Sequence, residues 1–176
     1  MYAGLYRLAD IIARTLALLG GLVLLAIIIL TTVSIIGRAL VPLDIGLGPI
    51  RGIYDMTEIG MAAAVFAFLP WCQLKQSHAV VDLFLPVIPN KMNQLLELVF
   101  NAGMLFIAAI GTWRMYLGLL DKQSYGETTL IAQIPVWQGY AVSMVGAVGF
   151  VIVSAFCVLR SVRVLIGLNT EEAARV

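Results

Sequence analysis

Three groups of residues in this chain carry side chains able to do more than pack. His78 is the single histidine, with Asp82 four residues on. An imidazole beside a carboxylate can shuttle a proton or supply part of a metal site, but a metal site takes three or four ligands. The only thiols, Cys72 and Cys157, sit in separate apolar runs and form no CxxC pair. That argues against a disulfide framework or a thiol oxidase and for two inert thiols. His78 and Asp82 are therefore read as hydrogen-bonding groups of a turn. The third group is Arg38, Asp55 and Glu58, which border two long apolar runs. A charge beside hydrocarbon is costly and usually paired. An ion or substrate contact is one reading of the three; a clamp tying the first run to the second is the favoured one. Glu97 begins a third apolar run, where it suits a helix N-terminus, and no partner for it is evident.

The elements that must position these groups follow from composition. Of 176 residues, 61% are hydrophobic and 12% charged, about half the charged share of an ordinary soluble domain. Such a chain cannot cover itself with polar surface, so lipid must cover much of it. The net charge of +1 gives no case for nucleic acid as a partner. The expected fold is all-α and integral to a membrane, a single domain over 1–176. Spans are expected at about 15–39, 56–74, 97–120 and 135–159, since about 20 apolar residues cross the hydrocarbon. Thr15 to Gly37 carries no charge and is longer than a signal-peptide core, so it reads as a span or signal anchor. Residues 2–14 place Leu5, Leu8 and Ile12 on one helical face and Arg7, Asp10 and Arg14 on another, the pattern of an amphipathic interfacial helix. Residues 79–96, broken by Pro86 and Pro89, read as a second interfacial segment.

Boundary chemistry agrees. Asn90 is a possible N-cap of the third helix and Pro135 suits the first turn of the fourth. Trp71, Trp113 and Trp137 fall near expected span ends, as interfacial aromatics do. Four spans put both termini on one side. That side holds Arg7, Arg14, Lys75, Lys91, Arg160, Arg163 and Arg175; the other holds Arg38, Arg51, Arg114 and Lys122. The excess favours both termini in the cytoplasm. Gly60/Ala64, Ala63/Ala67 and Ser143/Ala147 have small-xxx-small spacing, a face for close packing within the chain or against another subunit. The hydroxyls Thr31, Thr32, Ser34, Ser143 and Ser154 are isolated, form no polar stripe for an ion path, and are expected to bond their own backbone.

Several short stretches together resemble one family. Ile35-Ile36-Gly37-Arg38 closes the first span and Glu58 opens the second. Phe66-Ala67-Phe68-Leu69-Pro70-Trp71 is followed by His78-Ala79-Val80-Val81-Asp82, similar to a His-x-x-x-Asp stretch, although Ser77 stands where Gly often precedes the His. Thr128-Thr129-Leu130 leads through Ile134-Pro135-Val136-Trp137 into the fourth span. In order and spacing these resemble the small membrane subunit of tripartite ATP-independent periplasmic (TRAP) transporters, the DctQ-like subunit. The resemblance implies a scaffold, not an enzyme. It implies as partners a large multi-span transport subunit and a periplasmic substrate-binding protein. The transported solute would be an organic acid and the coupling sodium would bind the large subunit, leaving this chain no cofactor. Arg51 and Lys122, on the outer side, would be contacts for the binding protein.

Three other readings compete. The small subunit of a tripartite tricarboxylate transporter is also a four-helix accessory chain, but the His78/Asp82 stretch argues against it. A membrane redox protein needs haem-ligating histidine pairs or paired cysteines within the spans. A self-assembling channel needs a polar stripe along one helix.

Overall fold

The computed structural model describes residues 2–43, 48–76 and 90–166. Four helices make up nearly all of it: α1 (Tyr2–Leu40), α2 (Ile53–Leu74), α3 (Asn90–Tyr125) and α4 (Val136–Leu165), with a short 3-10 turn at Val41–Leu43 after α1. Each is long and apolar enough to cross a membrane. At 1.5 Å per residue, α2 spans roughly 33 Å, close to the hydrocarbon thickness. α1 and α3, with 39 and 36 residues, exceed it and must tilt or project beyond it.

Two boundaries differ from those expected. Residues 2–14 are not a separate helix but the first turns of α1, which runs unbroken to Leu40. Within these first turns the buried residues are Ala9 and Ala13, packed with Leu74, Val153, Phe156 and Cys157, with Tyr6 stacked obliquely on Phe156 at 6.0 Å. Leu5 and Leu8 stay exposed. A close approach between helix backbones selects the alanine stripe over the leucine stripe. The third helix likewise begins earlier and ends later than 97–120. Charges such as Lys91, Asp121 and Lys122 limit what can sit in hydrocarbon, not what can be helical. Its end is set by Gly126, whose φ of 63° stops the helix in the left-handed region. Residues 90–96 of the second interfacial segment therefore belong to α3; the rest of it, with His78 and Asp82, lies outside the described residues.

The helices run alternately up and down, yet they do not close into a ring. α4 packs on α1, α2 and α3, α2 packs on α1 and α4, and α3 packs on α4 alone. The centre of the molecule is thus the parallel pair α2 and α4, which small residues bring together. A Cβ on Gly146 would lie 2.6 Å from the carbonyl oxygen of Phe66. That carbonyl stands four residues before Pro70, which has no N–H to give it. The proline thus leaves a helical acceptor open, and the glycine lets a neighbouring backbone cover it. Gly139 faces Ile59 in the same way, Gly20 faces Ala64 and Ala67, and Gly60 faces Ile27 and Val23. Ala63, Ala64, Ala67, Ser143 and Ala147 are all buried, so the small-residue faces are consumed within this chain.

Candidate functional site

The polar groups that the fold brings together lie at its two ends. At the end carrying the termini, a chain of side chains crosses three helices. Gln73, near the end of α2, donates its Nε2–H to Asn101 Oδ1 at 2.9 Å, and Asn101 Nδ2–H donates to Ser161 Oγ on α4 at 2.8 Å. Their exposures of 2%, 6% and 3% place all three away from solvent and lipid. A buried amide without partners is costly, and here each satisfies the next. The Sγ of Cys157 lies 3.7 Å from the carbonyl oxygen of Gln73, a weak donor held against the same seam. One turn before Asn101, Glu97 accepts from Gln76 Nε2 at 2.6 Å. Gln76 takes a positive φ of 50° just after α2. The partner that Glu97 lacked in the sequence is therefore a neutral amide across the bundle. Since α3 packs its backbone only on α4, this seam is its direct link to α2.

At the opposite end, Asp55 holds the α3–α4 loop. Its Oδ2 accepts the backbone N–H groups of Ile131 and Ala132, at 3.0 and 2.7 Å. Gly52, with φ 75°, lets the loop settle on the start of α2, because a Cβ there would strike Ala132. Inside the loop, Thr129 N–H reaches Ile134 O, Ile134 N–H reaches Thr129 Oγ1, and Val136 N–H reaches Glu127 O. The braced tip carries Leu130, which is 96% exposed, and Ile131 beside it. Pro135 proves to be the residue just before α4, not within its first turn.

Against this frame, the Arg38 clamp is not made. Arg38 and Glu58 are exposed and form no ion pair with each other, while Lys122 pairs with Glu127 at 2.5 Å. The reason is geometric. Asp55 is turned to backbone donors of the loop, and the end of α1 is held instead by Ser34 Oγ, which accepts Ile50 N–H at 3.2 Å. Gly37 lies against the Gly48 backbone there. Lys122 already has Glu127, while Arg51 is exposed at the turn before α2. Trp71 lies near the end of α2, with Lys75 Nζ 5.3 Å from its ring, and Trp137 opens α4. Trp113 stands about three turns short of the end of α3, level with the middle of α4.

The hydroxyls divide. Thr15, Thr32 and Thr57 bond back to their own helices, Ser34 serves the loop, and Thr31 Oγ1 and Ser154 Oγ are buried without a partner. Cys72 and Cys157 are free thiols. Among the described residues, no three of His, Cys, Asp and Glu stand close enough to hold a metal ion. What the arrangement does is mechanical: a satisfied polar seam at one end, a fastened loop at the other, and glycine-mediated helix contacts between.

The profile of the family described as "Tripartite ATP-independent periplasmic transporters, DctQ component" matches residues 27–166. The chain belongs to that family. The match runs from the middle of α1 to the end of α4, so it takes in the loop held by Asp55 and all three members of the seam. A DctQ chain is a component of a transporter, and the family is not one of enzymes. No curated protein and no solved structure gives a significant match to the chain.

Sequence reasoning missed Gln73, Asn101 and Ser161. The signal was present: Asn101 interrupts the run Leu98–Trp113, and a polar amide in a spanning segment points inward to a partner. Reading those spans for charge alone passed over it.

Proposed function

We propose that this DctQ chain is the scaffold subunit of its transporter, bracing the fixed part of a large transport subunit while a mobile part carries an organic acid delivered by a periplasmic binding protein. The observation that carries this reading is the architecture itself. The described polar groups are spent on fastening helices and a loop to one another, and those left over form no continuous path across the bundle. Energy coupling, by sodium, then belongs to the large subunit, and this chain needs no cofactor. The termini lie in the cytoplasm, by the excess of Lys and Arg on that side, so the loop held by Asp55 faces the periplasm. There Arg51, and Lys122 together with its partner Glu127, are contacts for the binding protein. The tricarboxylate-transporter reading is not favoured, because the family matched is DctQ.

Two experiments test this. Gentle-detergent purification of the tagged chain from its native membranes, with mass spectrometry, should recover a much larger multi-span protein in fixed ratio. Recovery of the chain alone, as a well-behaved species, would count against a scaffold and favour a self-sufficient channel. Reversing Arg51 and Lys122 together should lower uptake when binding protein is limiting; unchanged uptake removes them as contacts.

A further inference from the structure

α1 and α3 both turn most of their apolar surface outward, but the two surfaces differ in kind. The outward side of α1 between Arg14 and Arg38 has no charge and is built of bulky residues such as Leu18, Leu22, Leu25 and Ile29. Lipid is a sufficient neighbour for that. The outward side of α3 carries Arg114, which is exposed and makes no ion pair or hydrogen bond among the described residues. Its depth is given by its neighbours. Thr112 Oγ1 lies 3.4 Å from Ala147 O and Gly118 lies against Tyr140, so Arg114 is level with α4 between those two residues. It is also about two turns, roughly 10 Å, inward of Asp121 on its own helix. Snorkelling covers only part of that distance.

The glycines point the same way. Gly20, Gly60, Gly118, Gly139, Gly146 and Gly149 each meet a neighbouring helix. In this molecule a spanning glycine generally marks a close helix approach. Gly103 and Gly111 of α3 are exposed and would meet nothing within 4 Å of an added Cβ. α1 has two such open positions, Gly4 in its first turn and Gly21 further along, and no charge lies near Gly21. A glycine inside a helix weakens it relative to alanine unless something comes close, and an unpaired guanidinium among apolar side chains calls for an anion.

Resting on the scaffold reading, we propose that the outward face of α3, with Gly103, Ile107, Ile110 and Arg114, is the docking face for the large subunit, and that Arg114 pairs with a carboxylate on one of that subunit's spanning helices. Gly103 and Gly111 admit the partner helix closely, and the ion pair sets its height in the membrane. The outward face of α1 is left to lipid.

A photo-crosslinking residue at Ile107, and separately at Leu22, tests the face in native membranes. The expected result is an adduct with the large subunit from Ile107 and little from Leu22. An adduct from Leu22 alone overturns the docking face and leaves the scaffold reading standing. If the unmodified chain retains no large subunit on purification, the scaffold reading itself fails. Gly103→Leu should leave the thermal midpoint of the isolated chain unchanged or slightly raised, since the space is open and leucine favours helix over glycine, and reduce the recovered large subunit. Arg114→Leu should lower that recovery roughly ten-fold or more, as loss of one member of a desolvated charge pair does, with Arg114→Lys retaining most of it. Full recovery with Arg114→Leu, or a loss confined to co-purifying anionic phospholipid, overturns the ion pair; the second outcome assigns Arg114 to a lipid phosphate.

Discussion

Asn101 is the side chain with most to lose. It accepts from Gln73 and donates to Ser161, and all three side chains are buried. Asn101→Ala removes both of these buried bonds, at about 1–3 kcal/mol, so the thermal midpoint of the purified chain should fall clearly. A midpoint within error of the wild type would show that the seam contributes nothing. Asp55 acts at the other end through a single oxygen that accepts two backbone N–H groups. Asp55→Ala should speed amide exchange at Ile131 and Ala132, while Asp55→Asn, which keeps a carbonyl oxygen there, should preserve much of the protection. Equal exchange in both variants would mean that the loop is held by its internal bonds and by Gly52.

Among the helices, glycine position decides what a methyl group does. The space at Gly146 is bounded by the backbone of Phe66 and Ala67, which cannot swing aside as a side chain can. Gly146→Ala should push α2 from α4 and cost about 1–3 kcal/mol by overpacking. Gly103→Ala meets nothing and should leave the isolated chain unchanged or more stable by about 0.5–1 kcal/mol, from the gain in helix propensity. Denaturation of both variants in one detergent gives the comparison, and a larger loss for Gly103→Ala than for Gly146→Ala would refute the assigned packing. The contrast also explains the order of the helices. α2 and α4 run parallel and approach closely because glycine and alanine line their shared face, whereas α3, with Gln73–Asn101 as its polar link to α2, lies to one side.

For the molecule as a whole, orientation is the open quantity that an experiment can read directly. Leu130 stands almost fully exposed at the tip of the braced loop, and Leu5 is exposed near the start of α1. With Cys72→Ser as background, Leu130→Cys should react with a membrane-impermeant maleimide in intact cells. Leu5→Cys should react only after permeabilisation. The reverse pattern would place the termini outside, and with them the seam of Gln73, Asn101 and Ser161.

The four spans, the membrane setting and the family were legible in the chain itself, because hydropathy and motif order are local properties that survive without knowledge of neighbours. The ends of the helices were less so. Charges bound hydrocarbon, not helix, and α3 therefore outran its apolar core until Gly126 stopped it. Which groups meet was decided only by the tertiary fold. Asp55 and Arg38 both border apolar runs, and charge alone suggests that they pair, yet the backbone amides of a loop more than seventy residues away in sequence take the carboxylate. The small-residue faces were visible as spacing, but whether they served this chain or another depended on α2 and α4 lying side by side. A pattern in sequence shows what a residue needs; the packing of distant segments determines what supplies it.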